Sequence, residues 1–132
     1  MTSGGLVYGV CVEEWFSSAL YVEGSTPHSK EVHGHDYRVR LCLESTRLRD
    51  GFVLDHYLAR ALLRSCIEPL DHRLLNAVIE PPTTENLALS IAGCVGKALE
   101  AEGIEARVSL VEVCTGNGLC GYVRPAGPGK ES

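Results

Sequence analysis

Aromatic residues are scarce in this chain, at 6% of 132 residues, and basic residues are outnumbered, with 12 Lys and Arg against 17 Asp and Glu for a net charge of −5. No Lys/Arg stripe gathers anywhere, so the electrostatic footprint that binds a phosphate backbone is missing and nucleic acid is not an expected partner. No C-x-x-C pair occurs, which removes the commonest local signature of a structural zinc site. There is no internal repeat. The opening residues Met1 to Gly5 hold no base, and the apolar run that follows is broken by Glu13 and Glu14, so neither signal-peptide layout nor a membrane span is expected. These absences lead to the expectation of a cytoplasmic protein with no membrane or nucleic-acid partner.

What is present is ordinary for a globular domain: 45% hydrophobic and 22% charged residues. A chain of 132 residues suffices for one core, since domains commonly run about 100–150 residues. One domain over residues 1–124 is expected, with a flexible tail over 125–132. Of the six cysteines, Cys42, Cys66 and Cys94 sit in apolar periodic stretches, where a free cysteine acts as a small buried hydrophobe. Whether Cys114 and Cys120 pair is left open by the sequence, a reducing cytoplasm arguing against it.

Along the chain, Val7, Tyr8, Val10, Val12, Trp15 and Phe16 predict a first strand from Leu6 to about Ala19. Glu23 to Pro27 is turn chemistry. A second strand is predicted from Glu31 to Glu44, because Tyr37, Val39, Leu41 and Leu43 alternate with Arg38 and Arg40. Asp55 can cap a helix with Leu58, Leu62, Leu63, Cys66 and Ile67 at helical spacing, ended by Pro69. A second helix follows Pro81 and Pro82, with Thr83 or Thr84 as cap, Glu85 in the first turn, a stripe through Leu87, Ile91, Val95 and Leu99, and Gly103 as its stop. Two short strands, about Ala106 to Cys114 and Leu119 to Val123, flank Gly116-Asn117-Gly118 as a hairpin. The order ββααββ predicts an α+β domain, a four-stranded antiparallel sheet with two helices on one face.

Three segments can carry chemistry. In His33-Gly34-His35 the two imidazoles share a strand face and can share a metal ion, although histidines two apart are also common on surfaces. In Asp71-His72 the carboxylate can orient the imidazole as a general acid or base, the plainer reading being a capping aspartate beside a solvated histidine. Pro82-Thr83-Thr84-Glu85-Asn86 is explained by a helix start alone.

Taken in order, Phe16-Ser17-Ser18-Ala19, His33-Gly34-His35-Asp36-Tyr37, Gly51-Phe52-Val53-Leu54-Asp55, Asp71-His72-Arg73-Leu74-Leu75-Asn76 and Pro82 to Ala88 form one pattern. It resembles the 6-pyruvoyl-tetrahydropterin synthase / 6-carboxytetrahydropterin synthase family over roughly residues 6–123. The resemblance implies the T-fold, or tunnelling fold, and a zinc ion held by three histidines, of which His33 and His35 match two. The place of the third holds Leu20, and His28 or Glu31 is the substitute ligand. The place of the family's proton-abstracting cysteine holds Ser29, with Glu31 as the other candidate base; Asp71 and His72 match the remaining relay pair. The pterin-anchoring glutamate is replaced by Cys114, before Thr115, with Glu112 and Glu85 as the carboxylates available instead. The activity so implied is a zinc-assisted lyase step on the small molecule dihydroneopterin triphosphate, in pterin or 7-deazaguanine precursor biosynthesis. The assembly so implied is a homo-oligomer, a trimer or a hexamer made of two trimers. The departures at Leu20, Ser29 and Cys114 support the alternative of a non-catalytic T-fold paralogue that binds a pterin- or purine-like ligand or is purely structural.

Overall fold

Long alternating stretches pair first. In a computed structural model, which describes residues 5–23 and 30–127, β1 (Tyr8–Leu20) runs antiparallel to β2 (His33–Ser45) with every residue matched, from Tyr8 opposite Ser45 to Leu20 opposite His33. Their inward positions, Val10, Val12, Phe16 and Leu20 on β1 and Tyr37, Val39, Leu41 and Leu43 on β2, are buried as the period of two demands. β3 (Arg107–Thr115) adds to β2, with a register slip at Cys42/Leu43, and β4 (Cys120–Val123) adds to β3, giving the sheet order β1-β2-β3-β4.

Two helices cover that apolar face. α1 (His56–Ile67) is capped by Asp55, whose side chain accepts from the Tyr57 and Leu58 amides. α2 (Thr84–Ala101) is capped by Thr83, which accepts from the Asn86 amide. Leu63, Ile67, Leu87, Ile91 and Val95 are each 0–1% exposed, so truncating one to alanine should cost roughly 2–5 kcal/mol. The order ββααββ and the layering of the α+β T-fold stand as expected. Among the described residues no helix is long and apolar enough to cross a membrane.

The connection between the helices sets the site. Pro69 stops α1, two 3-10 turns follow at Glu68–Leu70 and Leu75–Ala77, and the intervening residues lie along the free edge of β1. The His72 amide donates to the Ser17 carbonyl at 2.6 Å and the Ala19 amide to the Arg73 carbonyl at 2.9 Å, so edge groups that would otherwise stay unpaired are covered.

The cysteines correct the sequence reading. Cys42, Cys66 and Cys94 are not free: disulfides join Cys11 to Cys42, Cys66 to Cys94 and Cys114 to Cys120, and none is unpaired among the described residues. Cys11 and Cys42 are directly opposed in register, as are Cys114 and Cys120, while Cys66 and Cys94 join the two helices. Periodicity reports which face a cysteine takes. Partners depend on a register and a helix packing that no single segment reveals.

Candidate active site

Asp71 is gripped from several sides. Its Oδ1 accepts from the Ser17 amide at 3.0 Å and lies 2.8 Å from His72 Nδ1, and its Oδ2 pairs with Arg64 Nη2 at 2.8 Å. Arg64, on the last turn of α1, also donates to the Trp15 carbonyl at 2.9 Å. The Ser17 amide first, with the His72 charge and the Arg64 hydrogen bond and charge, holds the Asp71 carboxyl below its usual range against the opposing effect of desolvation, which is second in size to the Ser17 bond. An ionised Asp71 facing His72 Nδ1 at 2.8 Å suits a proton on that nitrogen, with Nε2 turned away from the carboxylate. His72 adopts the left-handed conformation, φ 57°, a backbone state uncommon outside glycine that turns its imidazole outward, 82% exposed.

The imidazole borders a cleft of about 580 Å³ shared with Ser18, Gly34, His35, Asp36 and Arg73. Ser17 donates its hydroxyl to Asp36 across the β1–β2 pair. Ser18 donates its hydroxyl to the Leu70 carbonyl, tying the loop to the strand. A second hollow of about 450 Å³ lies at the far end of β2, where Arg47 and Arg49 face Glu105 at 3.3 and 4.0 Å. Ion-paired arginines without an acid–base dyad offer less chemistry, so the His72 cleft is the candidate. Sequence reasoning passed over Ser17, Arg64 and Arg73. Arg73 follows His72 directly and was in view; Arg64 is seven residues from Asp71 on a different element, and nothing local marks it.

His33 and His35 share a face with Tyr37. Their ring centroids are 5.0 Å apart and perpendicular, His35 packs edgewise on Tyr37 at 5.7 Å, and Tyr37 stacks on Phe16 at 4.8 Å. Burial pushes the Tyr37 hydroxyl up to about 12, so it stays a neutral phenol. His35 is lowered by burial and by His33, against an opposing pull from Asp36, which favours the neutral imidazole that binds metals. His33 Nδ1 lies 2.7 Å from the Glu31 carbonyl, an anchor that leaves Nε2 available. It is thus the backbone of Glu31, not its carboxylate, that is seen at the histidines. The chemistry of this pair suits zinc, but Leu20, opposite His33 and 5% exposed, has no donor atom, and His28 and Ser29 lie outside the described residues, as does the turn after Glu23.

The pterin-anchor candidates lie elsewhere on the chain. Glu112 faces Arg38 at 3.6 Å, Cys114 is in a disulfide, and the Thr115 hydroxyl is committed to the hairpin turn at Asn117 and Leu119. Glu85 opens α2 and accepts from the Thr84 hydroxyl at 3.0 Å. It sits against β4, where a Cβ added to Gly121 would come within 2.9 Å of the Glu85 nitrogen, so only glycine allows this approach. Among the described residues, the group of close metal-donor atoms is Glu112, Cys114 and Cys120, whose sulfurs are bonded to each other.

Residues 9–123 match the family described as 6-pyruvoyl tetrahydropterin synthase. A curated relative, the dihydroneopterin monophosphate aldolase of Pyrococcus furiosus, is 30% identical over 80% of this chain and 79% of its own length. A putative 6-carboxy-5,6,7,8-tetrahydropterin synthase from Archaeoglobus fulgidus is 34% identical over 58% of this chain and 65% of its own. The Caenorhabditis elegans 6-pyruvoyl tetrahydropterin synthase structure superposes with a TM-score of 0.72 at 16% identity, covering 92% of this chain and 97% of that one, a likeness of fold. The order of motifs, the ββααββ sheet and the placement of Asp71-His72 beside His33-Gly34-His35 have one common explanation: the chain belongs to the 6-pyruvoyl tetrahydropterin synthase family.

Proposed function

We propose that this chain is a lyase acting on the side chain of a phosphorylated dihydroneopterin. The observation that carries the reading is the Asp71–His72 pair, an ionised carboxylate 2.8 Å from an exposed imidazole at the rim of a cleft. His72 Nε2 takes the proton from a side-chain hydroxyl, and the bond between the first two side-chain carbons breaks as the dihydropterin C=N accepts the electron pair. The same imidazolium returns a proton to the first carbon, releasing a hydroxymethyl pterin and a phosphorylated two-carbon aldehyde. Asp71 supports the imidazolium in between, and Arg73 supplies a cation to the phosphate. The triphosphate is the substrate proposed from the family; the Pyrococcus relative's name favours the monophosphate, and both offer the same scissile carbons.

Zinc, when bound, would be held by His33 and His35 with His28 as third ligand, and would polarise the side-chain hydroxyls. Ser29 and Glu31 are the residues we propose as further proton carriers on that side. Glu112, Cys114, Thr115 and Glu85 are proposed to meet the pterin ring. They are absent from the lining of the His72 cleft, which supports a site shared between copies in a trimer or a hexamer of two trimers. One domain over 1–124 in the cytoplasm completes the proposal, and three disulfides restrict that setting to a cell interior that tolerates them, as in hyperthermophiles.

The test is chromatography of the pterins after incubation with each dihydroneopterin phosphate. A shortened pterin, missing with His72→Ala, is the expected result. A pterin bound and returned unchanged would establish the non-catalytic paralogue instead.

A further inference from the structure

The three disulfides are not equivalent. Cys66–Cys94 closes 28 residues and pins α1 to α2, with Cys66 only 5% exposed and Cys94 exposed; Cys11–Cys42 closes 31 and pins β1 to β2, with Cys11 exposed. Cys114–Cys120 closes 6, within a hairpin already held by backbone bonds from Thr115 to Leu119 at 2.8 Å and Gly118 to Thr115 at 2.9 Å. Opening it costs little order.

Its two sulfurs also differ. Cys114 is 2% exposed and lies 3.2 Å from Arg38 Nη2, to which it is matched in the β2–β3 register, whereas Cys120 is exposed on the short outer strand. Among the described residues no Lys or Arg hydrogen-bonds to a sulfur of the other two disulfides. Arg38 is shared with Glu13 at 3.0 Å and Glu112 at 3.6 Å, which temper its charge without removing it from the sulfur. A guanidinium beside Cys114 makes it the better leaving thiolate, and exposure makes Cys120 the sulfur that can be attacked. The same guanidinium opposes a dication, so the Glu112, Cys114 and Cys120 donor atoms favour thiol chemistry over metal binding.

We propose that Cys114–Cys120 is a thiol–disulfide exchange site, opened by a protein dithiol that attacks the Cys120 sulfur. The attacking thiolate forms a mixed disulfide with Cys120, and Cys114 departs with the electron pair of the broken bond. The second thiol of the reductant, as its thiolate, then attacks the mixed disulfide and releases Cys120, which takes up a proton. The dithiol gives up two electrons and two protons. One proton goes to Cys120 and the other to Cys114, which has left as a thiolate beside Arg38. The site stands whether or not the chain turns over a pterin.

The test exposes the oxidised full chain to reduced thioredoxin, or separately to glutathione at equal thiol concentration, and follows each cysteine by timed alkylation and peptide mass spectrometry. Cys114 and Cys120 should become labelled at least about tenfold sooner than the other four, and sooner with the dithiol than with glutathione. A thioredoxin lacking its second cysteine should be trapped on Cys120. Arg38→Met should slow this opening by about tenfold and leave the other two disulfides unchanged, with Arg38→Lys restoring part of the rate. Trapping on Cys114, opening no faster than Cys66–Cys94, equal rates with glutathione, or an unchanged rate in Arg38→Met would each overturn the proposal.

Discussion

Two places flank the same short stretch of β2. On the β1 side, beside Asp36, a loop is sewn to the strand edge; Ser17 and Arg64 hold Asp71, and the neighbouring His72 borders a cleft. On the β3 side, Arg38 faces Glu112 and a sulfur of the Cys114–Cys120 disulfide. The first keeps the Asp-His pair of the sequence pattern, which we propose moves protons. The second holds a sulfur pair where the family resemblance leads one to expect an anchoring carboxylate. On the proposed reading, proton transfer is kept on one side while ligand anchoring is changed on the other, so each can be perturbed without the other.

The largest expected effect falls on the proton-transfer side: His72→Ala should lower kcat on a dihydroneopterin phosphate by about 10²–10⁴-fold with KM little changed, read by steady-state kinetics. Next comes the metal pair, where Leu20→His would set a third imidazole opposite His33 and raise zinc affinity at least about tenfold in a competition titration with a chelator. Unchanged affinity would mean that another residue already completes the site.

Asp71→Asn should cost about 1–3 kcal/mol in urea unfolding at neutral pH, because a charge-assisted pair with Arg64 is lost. The folded pKa of Asp71 is depressed, so its contribution is present above the ordinary aspartate value of about 3.9 and is lost as pH falls through the lower, folded value. The two unfolding curves should therefore converge in acid. The smallest effect is expected at the start of α2: Thr83→Ala removes the helix cap and about 1 kcal/mol, read by urea unfolding.

Much of this was legible residue by residue. Alternation at Tyr37, Val39, Leu41 and Leu43 gave the buried face of β2, and Asp55, Thr83 and Gly103 gave helix limits within a residue or two, because period and capping are local properties. Asp71 and His72 adjoin in sequence and meet in space at 2.8 Å. The grip of Arg64 on Asp71 needed α1 to pack against β1 before it could be seen, and the cysteine pairs needed strand register and helix packing. The hydrophobic pattern also put Leu20 in the core, where it faces His33 and supplies no ligand.

The claim that the Asp71–His72 pair moves a proton on a pterin side chain is tested most directly by turnover in D2O. Dihydroneopterin monophosphate and triphosphate would be incubated with the unaltered chain and with His72→Ala, and the pterin product analysed by mass spectrometry and NMR. The expected product is a hydroxymethyl pterin carrying one solvent deuterium on its new methylene, formed by the unaltered chain and not by the variant. Both substrates recovered intact from the unaltered chain, or labelled product made equally fast by His72→Ala, would contradict it.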